Sequence, residues 1–291
     1  MIAYEVHAFT YKQHGGNPAG VVIVDRKLSE KEMQQIAFYL GFSETAFVKK
    51  SDCEDYDYHV RFFTPVAEVD LCGHATIATF HLLNHLGQLN KSTLKQKTKA
   101  GILDVIIHDD GKTIFMEQSH PDRFPEVPYD RQHISKILRI DEELIGLEQA
   151  SVDAAVYSTG LKDLLLPVKD MEALNAIKPN FNKMQEYTDE NELVGIHVFT
   201  LHDGNIHCRN FAPSYGILEE AATGTSNGAL CAYLYDNNLL LSDGIVAYQG
   251  EKMRMTSKIS ASIVHEHSPY GVLVGGECTV KNTLEVRGYH D

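Results

Sequence analysis

Two hydrophobic periods alternate along the chain. Tyr4–Phe9 alternates polar and apolar side chains, and Gly20–Val24, Thr45–Lys49 and His59–Phe63 are short runs of strand length. Between them, the spacing predicts a helix over Ser29–Leu40, with Ser29 as N-cap, Glu32 completing a capping box and Gly41 as the stop. A second, more uniformly apolar segment, His74–Leu86, has the pattern of a buried helix. Strands are predicted at Leu103–His108 and Thr113–Glu117.

Ser119–Tyr129 carries Pro121, Pro125 and Pro128 and no apolar period, and reads as a linker. Beyond it a helix is predicted at Gln132–Leu138, strands at Ala154–Ser158 and Leu164–Pro167, and a helix at Met171–Ile177. Strands at Gly195–Leu201 and Ile206–Phe211, a helix at Thr225–Tyr235 and about four strands between Ile245 and Val286 complete the pattern. The expected organisation is two halves, 1–120 and 130–291, with the last strand free to cross back to the first.

The halves correspond internally. Phe63-Thr64-Pro65 leads through an acidic loop to Cys72-Gly73-His74 and a buried helix; Phe211-Ala212-Pro213 leads through Leu218-Glu219-Glu220 to Thr223-Gly224-Thr225 and another. Each half thus presents a glycine at a helix start, where unpaired backbone N–H groups and the dipole favour an anion such as a carboxylate.

Composition narrows the function. The chain has 291 residues, 43% of them hydrophobic, and a net charge of −14 with no basic block, which excludes nucleic acid and anionic membrane surfaces as expected partners. Met1 leads straight into an alternating segment, and no apolar run nears the roughly 20 residues of a membrane span, so a cytosolic location is expected. Five scattered cysteines without a C-x-x-C pair point to reduced thiols rather than disulfides or zinc.

Glu44, between the Gly41 stop and an apolar strand, stands where a partly desolvated carboxylate would suit proton exchange near neutral pH; a solvated loop residue or a backbone cap is the alternative. His74 at a helix start suits a neutral hydrogen-bond partner or proton carrier, although any one of 15 histidines can equally be structural. Cys72 reads either as a nucleophile or as an inert thiol. Glu219 and Glu220 read as catalytic or as helix-capping acids, and Thr225 as a site hydroxyl or an N-cap. Gly15–Gly20 reads as a hairpin loop or a wall of a site, and Tyr157–Gly160 as a strand-ending turn or an anion contact.

The order of these segments is more specific than any one of them. Gly16-Asn17-Pro18, Ser43-Glu44-Thr45-Ala46-Phe47, Arg61-Phe62-Phe63-Thr64-Pro65, Glu68 through Thr76, Ser158-Thr159-Gly160 and Gly216 through Thr225 together closely resemble the phenazine-biosynthesis PhzF-like family, nearly end to end. The resemblance implies an α+β, diaminopimelate-epimerase-like fold of two pseudo-symmetric halves, each a sheet wrapped around a central helix, with the active site in the cleft between them. It further implies a homodimer and a cofactor-independent isomerase with no metal, moving a proton on a small carboxylated metabolite. By motif, Glu44 looks like the catalytic carboxylate, with His74, Glu220 and Thr225 beside it and Asn17, Gly73, Ser158, Gly160 and Gly224 binding substrate. Two departures stand out: Glu219-Glu220-Ala221 replaces the expected Glu-Asp-Pro, and Thr223-Gly224-Thr225 replaces Thr-Gly-Ser. Thr223 also stands where a two-thiol racemase would carry its second cysteine, which disfavours that chemistry. A one-thiol enzyme using Cys72 with His74, or a non-catalytic binding module, remains the alternative.

Overall fold

The computed structural model describes residues 1–286 apart from 109, 149, 241 and 266–268. The chain divides into two compact units, Met1–Glu117 with the segment from Gly275 onward, and Gln118–Val274.

In chain order the first unit holds β1 (Ile2–Ala8), β2 (Asn17–Ile23), α1 (Glu30–Leu40), β3 (Thr45–Lys50), β4 (Tyr58–Phe63), β5 (Glu68–Val69), α2 (Gly73–His85), β6 (Thr93–Thr98), β7 (Gly101–Ile107) and β8 (Thr113–Glu117). The second holds β9 (Asp122–Arg123), α3 (Arg131–Leu138), β10 (Ala155–Ser158), β11 (Lys162–Pro167), α4 (Met171–Ala176), α5 (Phe181–Glu190), β12 (Gly195–His202), β13 (Asn205–Ala212), β14 (Ile217–Glu220), α6 (Gly224–Asp236), β15 (Gly244–Gln249) and β16 (Ser257–Val264). The long β17 (Gly271–Glu285) begins in the second unit and ends in the first.

The first unit's sheet closes on itself. β1 pairs antiparallel with β2 and with the 278–285 part of β17; β2–β3 and β4–β6 are parallel, β3–β4, β6–β7 and β7–β8 antiparallel, and β8 returns to β17. Each parallel step needs a crossover, and α1 and α2 supply them. α2 is threaded through the centre: Ala75 to Phe80, Leu82 and Leu83 are all buried, which is why it is apolar on every face. α1 is amphipathic and lays Met33, Ile36 and Ala37 against Phe47 and Phe63. Its capping box and left-handed Gly41 stop form as the sequence predicts.

The second unit repeats the plan. β10–β11, β12–β13 and β15–β16 are antiparallel, while β11–β12 and β13–β15 are parallel, crossed by α4 with α5 and by α6. α6 is the counterpart of α2, with Ser226 through Leu234 buried. The α+β class, with two similar sheets wrapped around a helix, is therefore as expected.

Several local readings are corrected. The proline-rich 119–129 stretch supplies β9, which pairs with β10 through Asp122 and Arg123, so it is part of the second unit's sheet. β5, β6, β14 and α5 were not predicted, the acidic loop before Cys72 holding β5, and three strands, not four, run between 244 and 286 among the described residues. The Gly15–Gly20 hairpin loop is shorter than read, since Asn17–Gly20 already pair with β1.

Candidate active site

Glu44 is placed by two backbone devices. Gly41 ends α1 at φ 69°, turning the chain, and the Glu44 carbonyl accepts the Gly20 N–H at 3.0 Å, which opens the β2–β3 ladder. The side chain is held at the strand mouth, 22% exposed. Cys72, in extended conformation, is the N-cap of α2 and its side chain caps none of the first-turn N–H groups. A Cβ on Gly73 would meet nothing nearer than Met116 Cε at 4.0 Å, so the glycine leaves this helix start open rather than relieving a clash.

His74 links these parts. Its Nε2 lies 3.3 Å from Glu44 Oε2 and its Nδ1 lies 3.4 Å from Cys72 Sγ. The Nε2 atom is buried and makes no aligned hydrogen bond, so the carboxylate and ring are in ion-pair range without locking each other. A thiol and a carboxylate thus flank the two nitrogens of one imidazole.

Asn17, also in the first unit, is buried at the head of β2, three residues before Gly20. Gly16 before it needs to be glycine: φ is 83° and a Cβ would sit 2.6 Å from the Ala8 carbonyl oxygen.

Glu220, Thr225, Ser158, Gly160 and Gly224 belong to the second unit. The Thr223 hydroxyl donates a very short bond to Glu220 Oε2. Gln249, fully buried, holds that turn: its Nε2 donates to the Glu220 carbonyl at 2.8 Å and to Thr223 Oγ1 at 3.0 Å, and its Oε1 accepts the Thr223 N–H at 3.2 Å. Thr223, not Thr225, is the N-cap of α6, which removes the capping reading of Thr225. Glu219 does not cap the helix either but pairs with Arg209 at 2.8 Å. The Thr225 carbonyl accepts the Thr159 hydroxyl at 2.9 Å, and a Cβ on Gly160, at φ 139°, would lie 3.7 Å from the Thr225 methyl. The Ser158 hydroxyl accepts the Gly160 N–H at 3.0 Å, so those two groups satisfy each other.

Sequence reasoning missed two buried groups. Asp163 accepts the Ser226 hydroxyl at 2.5 Å and the Gly195 N–H, and burial pushes its carboxyl up to about 6. His197 is fully buried, its Nδ1 is 3.1 Å from Asn210 Oδ1, and burial pushes it down to about 4, so it is neutral. The signal for Asp163 was a carboxylate immediately before the apolar run Leu164-Leu165-Leu166. Among the cysteines, burial pushes the Cys231 thiol up to about 12 and also raises Cys208 and Cys278, whereas Cys53 is exposed and Cys72 half-buried.

No helix among the described residues is long and apolar enough to cross a membrane. The profile of the PhzC-PhzF family, described as phenazine biosynthesis-like protein, matches residues 6–283. An uncharacterized isomerase of Clostridium acetobutylicum is 36% identical, with 95% of each chain covered. The uncharacterized isomerase YddE of Escherichia coli K12 is 33% identical, again over 95% of each. The crystal structure of a PhzF-family phenazine biosynthesis protein of Bacillus anthracis superposes with a TM-score of 0.87 at 28% identity over 99% of both chains. On a profile match that spans almost its whole length and on relatives named as uncharacterized isomerases, this chain belongs to the phenazine biosynthesis-like PhzC-PhzF family and is an isomerase by class.

Proposed function

We propose that the chain is a cofactor-independent isomerase that moves a proton on a small carboxylated metabolite, with Glu44 as the acid/base. The observation that carries this is the Glu44–His74 contact of 3.3 Å at the open start of α2. In the proposed step the Glu44 carboxylate takes a proton from a substrate carbon. The electron pair of the broken C–H bond delocalises into the adjoining unsaturated system, and Glu44 returns the proton to a different carbon or face. His74 stabilises the charge that appears and carries a proton to or from Glu44. The N–H groups of Gly73 and His74, at the start of α2, suit the substrate carboxylate.

Glu220 and Thr225, with Asn17, Ser158, Gly160 and Gly224, enter this proposal from the family resemblance. Their role is tested by coupling: a Glu44→Gln, Thr225→Ala double variant whose loss is smaller than the product of the single losses would place both in one step. A cytosolic homodimer is part of the same reading.

The experiment is turnover of a panel of small carboxylated metabolites, followed as isomer ratio by chromatography. Glu44→Gln should lower the rate about 10²–10⁴-fold, with Cys72→Ser retaining most of it. A second reading has its own observation, the 3.4 Å approach of Cys72 Sγ to His74 Nδ1: a one-thiol enzyme. It requires the reverse outcome, with Cys72→Ser inactive and Glu44→Gln active. A protein that binds one of the compounds without isomerising any, indifferent to Glu44→Gln, would instead be a binding module.

A further inference from the structure

We infer that Glu44, Cys72 and His74 form a zinc-binding site, and that Zn²⁺ is an inhibitor of this protein rather than its cofactor. One ligand atom from each residue, a carboxylate oxygen, Sγ and a ring nitrogen, lies within 4.8 Å of the other two. In a tetrahedral zinc site with Zn–S of about 2.3 Å and Zn–N or Zn–O of about 2.0–2.2 Å, ligand atoms stand roughly 3.3–3.6 Å apart. The Cys72 Sγ to His74 Nδ1 separation of 3.4 Å already meets that spacing. Glu44 faces the other ring nitrogen at 3.3 Å, and an ion takes only one nitrogen of a ring. Completing the site therefore needs the carboxylate to move by about 1 Å, within reach of the broad terminal torsion of a glutamate.

The donor set selects the metal. A thiolate, an imidazole and one carboxylate suit zinc, whereas Mg²⁺ and Ca²⁺ require mostly oxygen ligands. Three protein ligands leave a fourth tetrahedral position for water, and all three groups are half-buried rather than loose on the surface. The buried Nε2 of His74, without an aligned partner, is a second sign that the ring is not committed to a structural hydrogen bond. On binding, the thiol proton leaves to solvent as the S–Zn bond forms. The inhibitory consequence rests on the proposed role of Glu44, because an ion that occupies its carboxylate removes the base; binding itself does not rest on it.

Co²⁺ as a spectroscopic substitute for zinc separates the two. Titrated into the protein carrying Cys53→Ser, which removes the exposed thiol beside Asp55, Co²⁺ should produce a thiolate-to-cobalt charge-transfer band at one equivalent. Zn²⁺ should bleach the band, and Mg²⁺ should leave it unchanged. Cys72→Ala should abolish it, and Glu44→Gln, which leaves thiol and imidazole in place, should weaken Co²⁺ affinity at least about tenfold. No band, or a band undiminished in Cys72→Ala, overturns the site. A band with full isomerase activity at saturating Zn²⁺ overturns the inhibition and, with it, the role given to Glu44, while leaving the metal site standing.

Discussion

The two units share a scaffold and differ in what they put on it. In the first, Phe63 pairs with Thr45 across β3–β4; in the second, Phe211 pairs with Ile196 across β12–β13. Each phenylalanine follows by two residues an arginine that stacks on it, Arg61 or Arg209, and each arginine is held bidentately by a glutamate from the next short strand, Glu68 or Glu219. By that register Glu44 corresponds to Gly195. No side chain fits at Gly195, since a Cβ would sit 2.3 Å from the Phe211 carbonyl oxygen. At the central helix starts, Cys72-Gly73-His74 corresponds to Thr223-Gly224-Thr225. The arginine clamp is repeated in both units, and the Glu44 carboxylate and His74 imidazole are not.

Charge burial separates the units further. Among the described residues of the first unit, the fully buried polar side chains are neutral, such as Thr45, Thr76 and Gln96, whereas the second buries Asp163, His197 and Arg209. Glu44, Cys72 and His74 of the first unit are thus half-buried, whereas Asp163, His197 and Arg209 of the second lie in its core.

The comparison is broken most severely at Glu44. Glu44→Gln should cost about 10²–10⁴ in turnover with unchanged thermal stability, while the matching change in the second unit, Gly195→Ala, should act on stability alone. Next in size is the arginine clamp. Arg209, whose Nη1 also donates to the carbonyls of Leu174 and Ile177, is nearly enclosed; Arg209→Ala should destabilise by about 3–5 kcal/mol in urea unfolding, as for a broken buried pair. Arg61 is more exposed, and Lys99 remains 3.1 Å from Glu68 after its loss, so Arg61→Ala should cost only about 1.5 kcal/mol. Equal costs would deny the difference in burial. Gly195→Ala itself, which forces a methyl against a carbonyl, should cost about 1–3 kcal/mol by the same assay.

The smallest effect concerns pH. Asp163 has its folded value raised to about 6, so the stability it contributes is full below its unfolded value of 3.8 and is lost as pH rises through 6. His197 is depressed to about 4 from 6.5, so its contribution is full above 6.5 and is lost as pH falls through 4. The two slopes oppose each other over nearly the same window and largely cancel. Asp163→Asn should unmask the histidine, giving a stability that climbs by up to about 3 kcal/mol between pH 4 and 6.5; a flat profile in that variant would show that His197 does not titrate as its burial requires.

Elements with local signals were legible. The capping box of α1 and the buried helices α2 and α6 appear within a residue or so of their predicted spans. β6 was not, because its buried positions are Leu94, Gln96 and Thr98: two of three inward residues are polar, and the alternation that marks a half-buried strand is invisible. α5 has a low apolar content and relies on Asn180 as its N-cap and on Met184 and Tyr187 as its buried face. The 119–129 stretch hides β9 because a two-residue strand needs no periodicity and leaves its prolines outside the ladder. The Glu44–His74 pair spans 30 positions of sequence, and no local pattern announces it; only the order of motifs along the chain did.

The central claim is that the carboxylate at position 44 exchanges a proton with carbon. It is tested most directly by incubating the protein with small carboxylated metabolites in D₂O and following carbon-bound deuterium by NMR. The account predicts that the unaltered chain washes deuterium into at least one of them and that Glu44→Gln, equally folded, does not. Deuterium incorporation that persists undiminished in Glu44→Gln would contradict it.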